Sequence, residues 1–266
     1  MEIFKNVFEF QAWRKRYEEV ETNFRIGFVP TMGALHEGHA SLLLRSREEN
    51  DLTVLSIYVN PTQFNRKDDL AQYPRTTGQD LEIAHRSGVD AVLIPENPDE
   101  LYPDGYAYQV IEKELSKGLE GEFRPGHFEG MLTIVLKLLN LVRPTKAYFG
   151  EKDFQQLALV KGMAKAFFLD TEIIACPTVR EEDGLAMSSR NLRLSREDRK
   201  IAPKLYEALT EIVKLDEART ELEQAGFKIE YLVEQGGRRL VAAKLGEVRL
   251  IDNVDRVVSA PPGATL

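Results

Sequence analysis

The segment Pro30-Thr31-Met32-Gly33-Ala34-Leu35-His36-Glu37-Gly38-His39 gathers residue types that suit an anion. It follows a run that reads as a strand and opens a helical stretch. A helix N-terminus offers backbone N–H groups and a partial positive charge to phosphates. Gly33 and Gly38 permit close approach of the main chain. His36 and His39 are three residues apart, so on a helical turn they share one face, and two imidazoles there can donate to phosphate oxygens. Rival chemistries fit less well. Gly33 and Gly38 have P-loop spacing, but His39-Ala40 stands where Lys-Ser/Thr is required. A helical zinc pair needs histidines four apart with Glu between, or further Cys and His, whereas Glu37 sits beside His36. The G-x-G-x-x-G dinucleotide fingerprint is absent. A fourth reading leaves the two histidines as helix caps.

The elements that must position this segment alternate in type. Strands are expected at 25–30, 53–59, 90–94, 146–149 and 171–175, with a short edge strand at 106–111. Helices are expected at 40–50, 79–87, 128–143 and 154–168. Such alternation implies right-handed crossovers and a parallel sheet with helices on both faces, and ligands bind beyond the carboxyl ends of such strands. After Pro177 the pattern changes. A loop from Arg180 to Asn191 leads to Ser195-Arg196-Glu197-Asp198, a helix start. A second helix at about 217–225 and short strands within 227–251 complete a smaller α+β region, with Gly236-Gly237 as a tight connection. The boundary falls near Cys176-Pro177, and Ser259 to Ala264 reads as a frayed tail.

Composition narrows the class. The net charge of −8 opposes binding to a nucleic-acid backbone, though a local basic pocket for one nucleotide stays possible. The single cysteine, Cys176, forms no internal disulfide and no metal cage; it reads as a small buried residue in a reducing compartment. Residues Met1 to Lys5 carry no apolar leader, and the longest apolar stretch, Met131 to Val142, is too short to cross a bilayer and contains Lys137 and Asn140. A cytoplasmic protein with no membrane or nucleic-acid partner is expected.

His36-Glu37-Gly38-His39 resembles the HIGH motif of nucleotidylyltransferases. Those enzymes carry a KMSKS-like loop downstream that binds departing phosphates, and Met187-Ser188-Ser189-Arg190 is similar to it. Hydroxyls and a guanidinium bond phosphate oxygens, Arg bidentately. Alone, the tetrapeptide reads equally as a solvated loop. Further segments narrow the resemblance: Asn60-Pro61-Thr62-Gln63-Phe64, Arg124-Pro125-Gly126-His127-Phe128, Gly150-Glu151-Lys152-Asp153-Phe154-Gln155-Gln156 and Asp183 to Asn191. Together they closely resemble the pantothenate synthetase family, from the start to about Ala208 and again at Leu250-Ile251-Asp252-Asn253.

That resemblance implies a Rossmann-like nucleotide- and pantoate-binding domain (1–176), a C-terminal lid domain (177–266) and a homodimer. It implies ATP-dependent ligation of pantoate and β-alanine through a pantoyl-adenylate, with Mg2+ carried by the ATP phosphates and no protein metal site. Met32, Gly33, Ala34, Leu35, His36, Glu37, Gly38 and His39 then wrap ATP, and the general acid falls on His39. Gly150, Glu151, Lys152 and Asp153 continue that site, with Lys152 on the phosphates and Asp153 on the ribose. Val179 and Met187 border the adenine; Ser188, Ser189 and Arg190 clamp the phosphates. Gln63 and Gln156 bind pantoate, because amides both donate to a carboxylate and accept from hydroxyls. Gln63 also places β-alanine, with Asn60 a neighbour. Arg124 and His127 match a family segment with either a structural or a functional task, and His85 carries no motif. A lid hinge is expected at Cys176 to Val179. Two alternatives remain: another HIGH-type enzyme, for which tRNA charging needs a basic surface, and a non-catalytic nucleotide sensor.

Overall fold

The computed structural model describes residues 1–17 and 24–255; the expected frayed tail lies outside them. The chain divides into two compact units, Met1–Pro177 and Thr178–Leu266.

In the first unit six parallel strands run in the order β1-β4-β3-β2-β5-β6. They are β1 (Glu2–Phe4), β2 (Ile26–Thr31), β3 (Leu52–Ile57), β4 (Ala91–Leu93), β5 (Lys146–Gly150) and β6 (Glu172–Cys176). Between them lie α1 (Val7–Lys15), α2 (Glu37–Glu49), α3 (Lys67–Ala71), α4 (Thr77–Arg86), α5 (Glu120–Phe123), α6 (His127–Val142) and α7 (Phe154–Ala166). Period-two alternation sends neighbouring side chains to opposite faces. Phe28, Val54 and Leu93 join the core formed with α1, α6 and α7, while Val29, Leu55 and Val92 join Leu42, Leu43 and Ala84 of α2 and α4. Gly27 lets α2 lie close on the sheet, since a Cβ there would stand 2.1 Å from Ser46 Oγ.

The order of the strands locates the crevice. The chain steps from β2 through β3 to β4, then crosses back to place β5 on the other side of β2, so the order reverses between β2 and β5. β2 pairs with β3 over six residues but with β5 only at Gly27 and Phe28. Pro30, which has no N–H, therefore sits where β2 has already parted from β5.

Three expectations are corrected. No strand forms at 106–111. Tyr106 has φ 67°, the Tyr108 N–H donates to Asp104 Oδ2, and the Val110 N–H donates to Thr133 Oγ1, so side chains rather than a ladder satisfy this backbone. The sheet begins earlier than expected, with β1 at its edge, held by α1. The spacing of buried Val7, Phe10 and Trp13, with Asn6 accepting from the Glu9 N–H at 2.8 Å, is the helical signal that was legible there. The helix expected from 40 starts at Glu37, inside the HIGH-like segment.

The second unit is an antiparallel meander, β7 (Lys228–Gln235), β8 (Arg238–Leu245) and β9 (Val248–Asp255), with α8 (Arg196–Ile201), α9 (Lys204–Thr210) and α10 (Leu215–Gln224). Gly236 and Gly237 both take positive φ, as a two-residue hairpin turn requires. Ser195 caps α8, its Oγ accepting from the Asp198 N–H at 3.0 Å. Leu205, Leu209, Leu222, Val241 and Leu245 form the core.

Candidate active site

Most first-unit residues singled out from the sequence follow the carboxyl ends of three adjacent strands, β3, β2 and β5. After β2 the chain turns back through Gly33 and Ala34, at φ 79° and 51°. Glycine suits the first of these, and a Cβ there would also stand 2.9 Å from Asp80 Oδ2. The N–H groups of Ala34 and Leu35 donate to Asp80 Oδ2 and Oδ1 at 3.1 and 2.8 Å, and Thr76 Oγ1 donates to Oδ1 at 3.0 Å. Two amides expected to wrap a nucleotide are thus taken by a buried carboxylate of the chain itself.

The expected helical face shared by the two histidines is corrected. His36 is extended (φ −141°, ψ 178°) and is the N-cap of α2. Its Nδ1 accepts from the Gly38 N–H at 3.2 Å, while His39 Nδ1 accepts from the His36 N–H at 3.3 Å. The rings meet with centroids 4.1 Å apart. Capping and anion binding are compatible, because capping uses only Nδ1 and a neutral His39 then carries its proton on Nε2. Burial, reinforced by His36 and by the Lys152 charge, pushes the His39 pKa down to about 3, so the ring is neutral at pH 7. The Lys152 charge thus acts on the His39 ring. Lys152 follows β5 in a single turn, Glu151–Asp153, its ammonium 3.5 Å from Asp153 Oδ2. Glu37 is exposed and paired with Arg86.

After β3, Asn60 and Gln63 are buried. Gln63 Nε2 donates to Met32 Sδ at 3.0 Å, and Asn60 Nδ2 donates to Gln63 Oε1 at 3.2 Å. A Cβ on Gly130 would stand 2.4 Å from the Thr62 carbonyl oxygen, so this glycine lets α6 close on the turn. The Gln63 carbonyl only accepts, so His127 donates from Nδ1 at 2.9 Å and its Nε2 accepts from Arg124 at 2.9 Å. Arg124 and His127 thereby fix the Gln63 backbone. Gln155 is buried and holds the Glu120 N–H and the Leu115 and Gly118 carbonyls. Gln156 is half-buried, and its amide bonds to no described residue. Cys176 is buried, with Arg45 3.5 Å from its Sγ. Among the described residues no three His, Cys, Asp or Glu gather to hold a metal ion.

In the second unit, Val179 to Met187 fold back on themselves: the Met187 N–H donates to the Val179 carbonyl at 3.0 Å and Arg180 bridges Ala186. Arg180 stacks 3.9 Å from the Tyr206 ring centroid, pairs with both oxygens of buried Asp252 at 2.7 and 3.0 Å, and donates to the Gly184 carbonyl at 3.0 Å. Asn191 Nδ2 ties Glu181 to the Ala186 carbonyl, and Arg199 pairs with Glu181 and Asp183. Ser188 Oγ accepts from the Arg190 N–H at 3.2 Å and starts the turn Ser189–Arg193.

The family model described as Pantoate-beta-alanine ligase matches residues 2–255. The chain belongs to the pantoate–beta-alanine ligase family. It is 56% identical to the pantothenate synthetase of Bdellovibrio bacteriovorus over 95% of this chain and 98% of that one. It is 52% identical to that of Legionella pneumophila (strain Corby) over 95% and 99%. Among solved structures, the Francisella tularensis pantoate-beta-alanine ligase, complexed with beta-gamma ATP and beta-alanine, superposes with a TM-score of 0.91 at 43% identity, over 96% and 98% of the two chains. The Thermus thermophilus pantothenate synthetase gives 0.86 at 40% identity, over 96% and 99%.

For a pantoate–beta-alanine ligase fold, sequence reasoning missed Asp80, Thr76 and the Arg180–Asp252 pair. Asp80 lies inside an expected helix and carries no motif. Arg180 opens the 180–191 loop and Asp252 lies in Leu250-Ile251-Asp252-Asn253, but their pairing is a contact between distant parts of the chain.

Proposed function

We propose that the protein joins pantoate to β-alanine at the expense of ATP, through a pantoyl-adenylate. A pantoate carboxylate oxygen attacks the α-phosphorus, and the bond to the bridging oxygen of pyrophosphate breaks. The β-alanine amine then attacks the acyl carbon, AMP departs, and the amine gives up a proton. The supporting observation is the contact of the His36 and His39 rings after β2, at the strand-order reversal, with Lys152 in the turn that follows the neighbouring strand β5. Charge moves onto pyrophosphate in the first step, so positioning and electrostatic stabilisation carry the catalysis. His39 Nε2–H donates to a phosphate oxygen as a neutral ring, and Lys152 supplies a point charge. Ser188, Ser189 and Arg190 bind the pyrophosphate, and Val179 and Met187 border the adenine. Asp153 holds the ribose. Gln63 and Gln156 bind pantoate, and Gln63 also receives β-alanine. Magnesium bound together with ATP would screen the triphosphate charge, and none of the residues named here would need to ligate it. The protein works in the cytoplasm as a homodimer.

Pantoate-dependent ATP–pyrophosphate exchange is the test. Exchange that requires pantoate is expected. Exchange on a different acid would assign the chain to another HIGH-type reaction, and none on any acid would make it a nucleotide sensor.

A further inference from the structure

Successive N–H groups in a turn with positive φ form a concavity that takes an anion. In the turn after β2 that concavity is already filled by the Asp80 carboxylate, which receives Ala34 N–H on one oxygen and Leu35 N–H with the Thr76 hydroxyl on the other. Asp80 arrives from α4, whose Leu81 and Ala84 pack with Val29, Leu43 and Leu55 against the sheet. The carboxylate therefore passes the rigidity of the sheet to a turn whose own backbone is strained at Ala34. One residue beyond Leu35 the chain reaches His36, and the N–H of His36 in turn orients the His39 ring.

We propose that Asp80 is a positioning residue for adenylation: an internal anion that locks the turn at 33–35 and so aims the His36 and His39 imidazoles at the nucleotide phosphates. This rests on the function proposed above. Its consequence is that the phosphates are met there by side chains, since the Ala34 and Leu35 amides are already occupied.

Asp80→Asn keeps the shape. One amide oxygen still accepts from Leu35 and Thr76, but the NH2 group then faces the Ala34 N–H, donor against donor. In the full-length protein, pantoate-dependent ATP–pyrophosphate exchange by D80N is expected to fall about 100-fold in kcat, the scale of loss for a displaced catalytic group, with pantoate KM unchanged. Capture of preformed pantoyl-adenylate by β-alanine, which involves no pyrophosphate, is expected to stay near the wild-type rate. Amide hydrogen exchange at Ala34 is expected to quicken by about tenfold, as loss of a bond to a charged group implies. Wild-type exchange by D80N overturns the proposal. So does an equal fall in both half-reactions with a lowered Tm, which marks a merely structural role. Absence of pantoate-dependent exchange in the wild type would instead defeat the functional reading, while Ala34 protection would still report on the Asp80 lock. Should D80N not fold, Thr76→Val removes one donor to the same carboxylate without touching its charge. An exchange kcat lower by about fivefold, with faster amide exchange at Leu35, is then expected, and wild-type values for both overturn the proposal.

Discussion

In His39 the two ring nitrogens stand in different situations. Nδ1 accepts from the His36 N–H at 3.3 Å, which leaves Nε2 to donate. Because burial drives its pKa from 6.5 to about 3, the unfolded chain binds a proton on His39 before the folded chain does. Stability therefore rises with pH between those values, and the His39 contribution is complete above about 6.5. At pH 5 the wild type should have lost up to about 2 kcal/mol relative to pH 7 through this group. Urea unfolding of wild type and His39→Gln at both pH values checks this, and equal losses in the two proteins would remove His39 as the cause. The same ring is expected to matter in adenylation. His39→Ala and Lys152→Ala should keep the fold and lose about 2.7–4 kcal/mol of transition-state stabilisation in pyrophosphate exchange. A fully active His39→Ala protein would take His39 out of the mechanism. At this scale sequence reading is good at residue type and weak at task. Gln155 and Gln156 are adjacent and identical, yet one is buried holding three backbone groups and the other is half-buried with its side-chain amide bonded to no described residue, because successive helical positions face different surroundings.

The segment 180–191 makes the same point for an element. It reads as a loop, and the structure gives it a fold of its own through Arg180, Asn191 and Arg199. Arg180→Ala would leave the Asp252 carboxylate buried without its bidentate partner, a change that costs about 3–5 kcal/mol. Denaturation followed by circular dichroism should show that loss, and Arg180→Ala should also slow pyrophosphate exchange, since Ser188 to Arg190 continue the same segment. A variant as stable and as fast as wild type would show that the pair does not hold the loop. Elements with local signals were legible. The apolar period of α6 and the Ser195 cap are local signals. The edge strand at 106–111 failed because Asp104 and Thr133, one of them far along the chain, captured the amides that a ladder needed.

For the whole molecule, the proposed homodimer gives a direct expectation. Light scattering at micromolar concentration should return twice the chain mass, and a monomer mass there would remove the dimer from the reading. Several large apolar side chains of the first unit, Phe8, Tyr108 and Ile111 among them, are exposed in the single chain. The alternation of strand and helix signals already required a parallel sheet, because each crossover must bury an apolar face on both sides. The motif segments already read as following strands, and they follow β2, β3 and β5.

By itself, then, the sequence determined the chemistry on offer, the α/β class and the motif order that marks the family, since these are local in spacing and residue type. Only the tertiary structure decided that β2 parts from β5 after Phe28 and that Asp80 fills the turn. It alone decided that His127 fixes Gln63 and that Arg180 finds Asp252. Each of these is a contact between residues distant along the chain. Its partner is chosen by burial, which forces every enclosed polar group to find whichever complementary group the packing brings near.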